Sequence, residues 1–291
     1  MKKQIHFAIV YDFDGTLAPG NMQERDFIPA IGMTTKKFWT EVRKESKDNQ
    51  ADNILVYMKL MLDKARAAKV KVSKSDFRNY GKKLKFFKGV LQYECEGGVE
   101  KGWFDRINAY GRESHIKVDH YIVSSGIREM IEGTSINKKF SEIYASSFFY
   151  DHNGVAIWPA LAINYTTKTQ YLFRINKGCL DVSDTEEINQ YVEESERKVP
   201  FTNIIYIGDG ETDIPCFRLV KDRGGHSIAV YKPNTRNAQK KLENLIVDGR
   251  VDFTSPADYR NKSKLDRLVK AIIDKIQVDS SLSDFRGVRK K

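Results

Sequence analysis

Cysteine is scarce: three residues in 291, at positions 95, 179 and 216. An odd number at wide spacing builds no disulfide framework and offers no zinc-site spacing. Thiols kept reduced in a cytoplasmic compartment suit that pattern. Long hydrophobic runs are missing too, and none approaches the roughly 20 residues of a membrane helix. The N-terminal Met-Lys-Lys-Gln-Ile-His lacks the apolar stretch and small-residue cleavage site of a secretory signal. There is no internal repeat, no low-complexity segment, and no block of like charge except the C-terminal Arg-Gly-Val-Arg-Lys-Lys (286–291). These absences predict a cytoplasmic protein with no membrane span.

What is there can fill a core. Apolar residues make up 41% of the chain and aromatic residues 11%, with 30% charged. The formal net charge of +10 favours anionic partners such as phosphorylated metabolites, nucleic acid or a membrane surface. The charges are dispersed, which favours a solvated surface over a dedicated polyanion site.

Residues 5–11 form a nearly continuous apolar run bounded by turn residues, the pattern of a central parallel strand buried on both faces. The next stretch changes character. Phe38, Trp39 and Val42 suggest a short helix; Ile54, Met58, Met61 or Leu62, and Ala65 recur at helical spacing, as do Phe77, Tyr80, Leu84 and Phe87. With no strand alternation, residues 19–90 read as a helical insertion. Alternation then resumes. Val99, Trp103, Ile107 and Tyr110 form a helix face that Gly111 can end. Residues 120–123 read as a strand, and 143–150 with 155–158 as a hairpin around Asn153-Gly154. Residues 186–198 read as an exposed charged helix. Strands are expected at 203–207, 226–231 and 250–254, helices at 234–246 and 262–277, and the last dozen residues as frayed. The fold class is α/β: a doubly wound, Rossmann-like parallel sheet with an inserted helical cap.

In such a sheet, ligands bind at the carboxyl ends of the strands. Asp12/Asp14, Ser124/Ser125 and Asp209/Asp213 each follow a predicted strand. Two carboxylates two residues apart resist joint ionisation unless a cation compensates, which lets one act as nucleophile and the other as acid and base. Asp-Gly is equally a turn-former. Gly208 and Gly210 bracket Asp209 and let backbone approach a ligand; clustered carboxylates suit Mg²⁺, while Thr212 and Asp213 also suit the opening of a helix. Ser124-Ser125-Gly126 suits an anion at a helix start, or a plain cap. A lysine such as Lys168 can pair with a phosphate.

In order, Asp12-Phe13-Asp14-Gly15-Thr16, Ile122-Val123-Ser124-Ser125-Gly126, Lys168 and Gly208-Asp209-Gly210-Glu211-Thr212-Asp213 resemble the motifs of the haloacid dehalogenase superfamily, in particular its phosphoserine-phosphatase-like branch. The resemblance implies a catalytic core over 1–18 and 91–291 with a cap over 19–90. It implies that Asp12 attacks phosphorus and forms an aspartyl-phosphate, and that Asp14 protonates the leaving oxygen and then activates water. It also implies that Mg²⁺ is held by Asp12, the Asp14 carbonyl and Asp209, with Asp213 near the metal or orienting it. Ser124, Ser125 and Lys168 grip the phosphoryl group, and Lys177 is a second candidate for the lysine. Asp14 argues against the dehalogenase branch, and Ser125 stands where phosphoserine phosphatases carry Gly. No residue early in the cap matches the acid those enzymes use for serine, since Glu24 is out of register. The expected activity is a Mg²⁺-dependent phosphatase acting on a small phosphorylated substrate. The alternatives are a phosphotransferase or mutase with the same core, or a non-catalytic phospho-ligand or nucleic-acid binder.

Overall fold

The computed structural model describes residues 4–285. Its strands are β1 (Ile5–Tyr11), β2 (Tyr93–Cys95), β3 (Gly98–Glu100), β4 (Ile116–Ile127), β5 (Glu142–Tyr150), β6 (Ala156–Leu161), β7 (Ile204–Gly208), β8 (His226–Tyr231) and β9 (Phe253–Pro256). Seven of them form one sheet in the order β6-β5-β4-β1-β7-β8-β9, while β2 and β3 pair separately. Every neighbour in the large sheet is parallel except β6, which returns antiparallel to β5. The β5–β6 hairpin turns at Asn153-Gly154 as its sequence predicts, with Gly154 at φ +73° and Asp151 accepting from the backbone N–H of Asn153 and Val155.

The apolar run of β1 is explained by burial on both faces. Phe7, Ile9 and Tyr11 enter one hydrophobic cluster, while Ala8 and Val10 enter the other. Strand β7 repeats the pattern, with Ile205 and Ile207 on the first side and Ile204 and Tyr206 on the second. Helices 168–177, 214–222 and 236–247 cover the second face, and helices 103–113 and 264–285 pack with the first.

Between β1 and β2 lie the helices Met22–Arg25, Phe27–Ala30, Thr35–Asp48, Asn53–Ala67 and Lys74–Lys82. Local chemistry starts the longer ones: Thr34 accepts from Lys37 N, Asp52 from Ile54 N and Leu55 N, and Ser73 with Asp76 forms a reciprocal capping box. Their apolar faces, including Phe38, Val56, Met61 and Phe77, join the same cluster as β1.

Several expectations need correction. Residues 186–198 form no α-helix, only short 3₁₀ turns at Glu187–Asn189 and Glu194–Glu196. The carbonyls of Ile188 and Gln190 accept from Lys177 Nζ instead of from a following helical turn. Gly111 does not end its helix, which runs from Trp103 to Glu113. It lies against β4, where a Cβ would stand 2.5 Å from Val118 Cγ2. Val99 belongs to β3 and is exposed. The third inserted periodicity stops at Lys82, and Phe87 N donates to the Leu17 carbonyl, so the chain has left the helix. Fraying is expected over the last dozen residues, but the last helix continues to Phe285; the basic segment 286–291 lies outside the described residues.

A buried polar chain crosses behind β1. Trp103 Nε1 donates to the Tyr11 hydroxyl at 2.8 Å, Tyr11 Oη lies 3.0 Å from His120 Nδ1, and His120 Nε2 lies 3.0 Å from Asn108 Oδ1. Burial pushes the His120 imidazole down to about 3. The folded state thus holds it neutral while the unfolded chain protonates near 6.5. Its contribution is fully present above pH 6.5 and is lost as pH falls toward 3, at about 1.4 kcal/mol per pH unit. Urea unfolding midpoints at pH 7.5, 6 and 5 should therefore fall more steeply for the wild type than for His120→Gln. Parallel slopes would refute this role.

Candidate active site

The parallel register brings the motif residues to one edge. Tyr11 is level with Ile122 of β4 and with Ile207 of β7. Asp12, Ser124 and Asp209 therefore emerge together from three adjacent strands, and Asp12 N donates to the Ile207 carbonyl at 2.9 Å. Chain order departs in opposite directions on the two sides of β1, so this is the sheet's topological switch point.

Lys168 is fully buried at the start of helix 168–177. Its Nζ lies 2.8 Å from Asp213 Oδ1 and 3.2 Å from Asp12 Oδ1. The first contact is an aligned hydrogen bond; the second is an ion pair that leaves Asp12 Oδ1 without a hydrogen-bond partner. Asp213 uses both oxygens: Oδ1 also accepts from Tyr206 Oη at 2.6 Å, and Oδ2 from the N–H groups of Asp209 and Gly210 at 3.1 and 3.3 Å. Lys177 stands elsewhere, on the carbonyls of Ile188 and Gln190.

The glycines explain how these loops come so close. A Cβ on Gly15, which has φ +75°, would stand 1.9 Å from Asp209 Oδ2. One on Gly208 would stand 2.4 Å from Asp213 Oδ2, so that glycine makes room for a carboxylate of the chain itself; Gly210 faces open space.

Carboxylate oxygens of Asp12, Asp209 and Asp213 come within 4.8 Å of one another. Burial raises Asp12 to about 6, with Lys168 opposing and Asp213 adding to the shift. Burial, then Asp12 and Asp213, push Asp209 up to about 8. Asp14 is raised well above the usual carboxylate range by burial and by Asp12. Burial works against a charged Lys168, but Asp12 and Asp213 outweigh it and keep the ammonium protonated. Three carboxylates thus face one ammonium, which leaves an excess of negative charge. That donor set fits a hard cation with oxygen ligands.

A cavity of about 860 Å³ opens over this edge. Asp12, Asp14, Ser124, Ser125 and Asp209 line it, while Lys168 and Asp213 stand behind in the core. Asp14 Oδ1 accepts from Met22 N at 3.0 Å, and Ser124 Oγ accepts from Gly126 N at 3.1 Å. The Ser125 carbonyl accepts from Tyr57 Oη at 2.6 Å and Ser146 Oγ at 3.2 Å. Across from the acids, Trp39, Arg43 and Tyr57 come from the inserted helices. Sequence reasoning missed Tyr206, Tyr57 and Gln23. For Tyr206 there was a signal: one hydroxyl inside the otherwise apolar Ile204–Ile207 run, which a buried position obliges to find a partner.

A doubly wound sheet with an Asp-x-Asp loop, a buried lysine and a second acidic loop at its switch point defines a hydrolase class of α/β protein. Comparison with known proteins makes the assignment. The family model of haloacid dehalogenase-like hydrolases matches residues 9–218, and the chain belongs to that family. An uncharacterized protein of Borreliella burgdorferi is 32% identical over 287 residues, covering 89% of this chain and 93% of that one. Among solved structures, a family hydrolase from Salmonella enterica serovar Typhi aligns with TM-score 0.55 at 15% identity, over 92% of this chain and 71% of the other. A phosphoserine phosphatase solved as a phospho-aspartyl intermediate analogue aligns with TM-score 0.51 at 14% identity, over 92% and 99%. No helix among the described residues is long and apolar enough to cross a membrane.

Removing one partner of a buried ion cluster leaves uncompensated charge, at a cost of about 3–5 kcal/mol. Lys168→Met should lose stability of that order in urea unfolding at pH 7.5, because Asp12 and Asp213 would then face each other unscreened. An unchanged midpoint would show that the ammonium is not what holds them.

Proposed function

We propose that the protein is a Mg²⁺-dependent phosphatase that hydrolyses a small phosphate monoester through an aspartyl-phosphate. One observation carries the reading. Asp12 is held against a buried ammonium, and it lines one cavity together with a second acid, Asp14. A pure phosphate binder has no use for the second acid.

In this reading Asp12 attacks phosphorus in line, and the ester P–O bond breaks as Asp14 gives its proton to the departing oxygen. Asp14, now ionised, takes a proton from water; that water attacks phosphorus, the bond to Asp12 breaks, and inorganic phosphate leaves. Burial and the charge of Asp12 raise Asp14, which suits an acid that must hold a proton near neutral pH. Lys168 screens Asp12 and would face the phosphoryl oxygens, with the Ser124 hydroxyl and backbone N–H groups of the 124–126 loop on the other side. When bound, Mg²⁺ would supply positive charge to phosphate and carboxylates alike, held by Asp12, Asp209 and the Asp14 carbonyl. Asp213 orients Lys168 and the 208–210 loop, since its oxygens are already engaged. Residues 19–90 act as a cap that excludes water from the reaction. The phospho-aspartyl analogue of a phosphatase with the same fold supports the chemistry.

Asp12→Asn should abolish turnover of p-nitrophenyl phosphate. Asp14→Asn should lower kcat by about 10²–10⁴-fold, and EDTA should remove activity that added Mg²⁺ restores. Near-wild-type turnover by Asp12→Asn in a steady-state assay would end the covalent mechanism.

A further inference from the structure

Among the described residues lining the cavity, three buried side-chain oxygens have no hydrogen-bond partner: Asp12 Oδ1, Gln23 Oε1 and Ser125 Oγ. The first belongs to the proposed chemistry. The other two flank Asp14. Gln23 is 2% exposed and follows Met22, whose N–H holds the Asp14 carboxylate. Ser125 follows Ser124 on β4, its carbonyl engaged by Tyr57 and Ser146 while its hydroxyl is unused. Tyr57 also adjoins the Gln23 side chain, so inserted helix and strand meet here. Buried polar atoms are normally paired. Two unpaired ones beside the proton-transferring acid mark the place of a polar group on the departing half of the substrate.

The chemistry of that group follows from the surroundings. A hydroxyl satisfies a carboxamide in either orientation and a serine hydroxyl as donor or acceptor. An ammonium would need a free carboxylate. The nearby Glu24 is not among the residues lining the cavity, and its Oε1 is turned to Asn21 Nδ2 and Trp39 Nε1, each at 2.7 Å. Arg43 and Lys232 put cations on the cavity wall. Building on the proposed phosphatase reading, we infer that Gln23 and Ser125 are specificity-determining residues that bind a hydroxyl close to the phosphate ester. The substrate class is then a polyol or sugar phosphate and not a phosphorylated amine.

The test compares kcat/KM for glycerol 3-phosphate, n-propyl phosphate and O-phosphoethanolamine, with p-nitrophenyl phosphate reporting the chemistry. Sites built to bond a hydroxyl reject the analogue lacking it strongly, so the wild type should prefer glycerol 3-phosphate over n-propyl phosphate by at least about a hundredfold. Gln23→Leu should shrink that ratio by about tenfold or more, and Ser125→Ala should shrink it too. Gln23→Leu also loses the contact of the carboxamide with Tyr57, so its Tm is read beside the ratio. The inference is overturned by a wild-type ratio near one, by a preference for O-phosphoethanolamine, or by a Gln23→Leu variant with a lower Tm and an unchanged ratio. In each case Asp12-dependent turnover of p-nitrophenyl phosphate would leave the phosphatase reading standing. Its absence would remove both.

Discussion

The buried ammonium of Lys168 is the contact on which the geometry of the site depends. It stands at the first position of helix 168–177, where the helix dipole disfavours a cation. Two carboxylates more than offset that, and in return Lys168 opposes the burial that raises Asp12. Asp213 extends the contact into a network: one side chain ties Lys168, the β7 residue Tyr206 and the backbone of Asp209 and Gly210 together. A buried polar network with all members satisfied is rigid. Asp12 joins it through the ion pair of Oδ1 with Lys168 and also lines the cavity. A carboxylate held from the core side in this way is what the proposed nucleophile requires.

Sterics impose the second constraint. The loops after β1 and β7 interlock: Gly15 admits the Asp209 carboxylate and Gly208 admits that of Asp213. Gly126 is equally crowded, since a Cβ there would lie 2.2 Å from Met22 Cε and 3.0 Å from Asp14 Oδ2. Each glycine therefore supports an acid by lacking a side chain. Burial, with the neighbouring carboxylates adding to it, raises Asp12, Asp14 and Asp209 together, an arrangement unfavourable by itself and suited to a cation that neutralises it.

Much of this was legible in the chain because buried parallel strands declare themselves as short apolar runs. Ile5–Tyr11 and Ile204–Gly208 are unambiguous, and each hands its acids to the edge where ligands bind. Charge pattern alone misled at 186–198: the segment is rich in charge as on a solvated helix, but its Ile188 and Gln190 carbonyls are claimed by Lys177 from a neighbouring helix. Gly111 shows the same limit. Its lack of a Cβ serves packing on Val118, a contact between elements that no local rule encodes. The choice between Lys168 and Lys177 was likewise a tertiary question: Lys168 pairs with Asp213, 45 residues further on, while Lys177 bonds the carbonyls of Ile188 and Gln190.

The inserted helices bear on more than closure. Their side chains Met22, Phe27, Phe38, Met61 and Phe77 share one buried cluster with Phe7, Ile9 and Tyr11 of the central strand. Asp52 joins them to the loop before Lys168 as well: it caps helix 53–67 with Oδ1 and accepts from Asn164 Nδ2 with Oδ2. The walls of the cavity thus rest on the same packing as its acidic floor. A displacement at Met22 would shift the N–H that holds Asp14 and the neighbouring Gln23 together. Because consecutive residues hold Asp14 and line the cavity, the proposed recognition of the departing group would act on the proposed acid through Met22. A buried oxygen without a partner costs about 1–3 kcal/mol, so in that reading a polar group on the substrate is favoured beside Asp14.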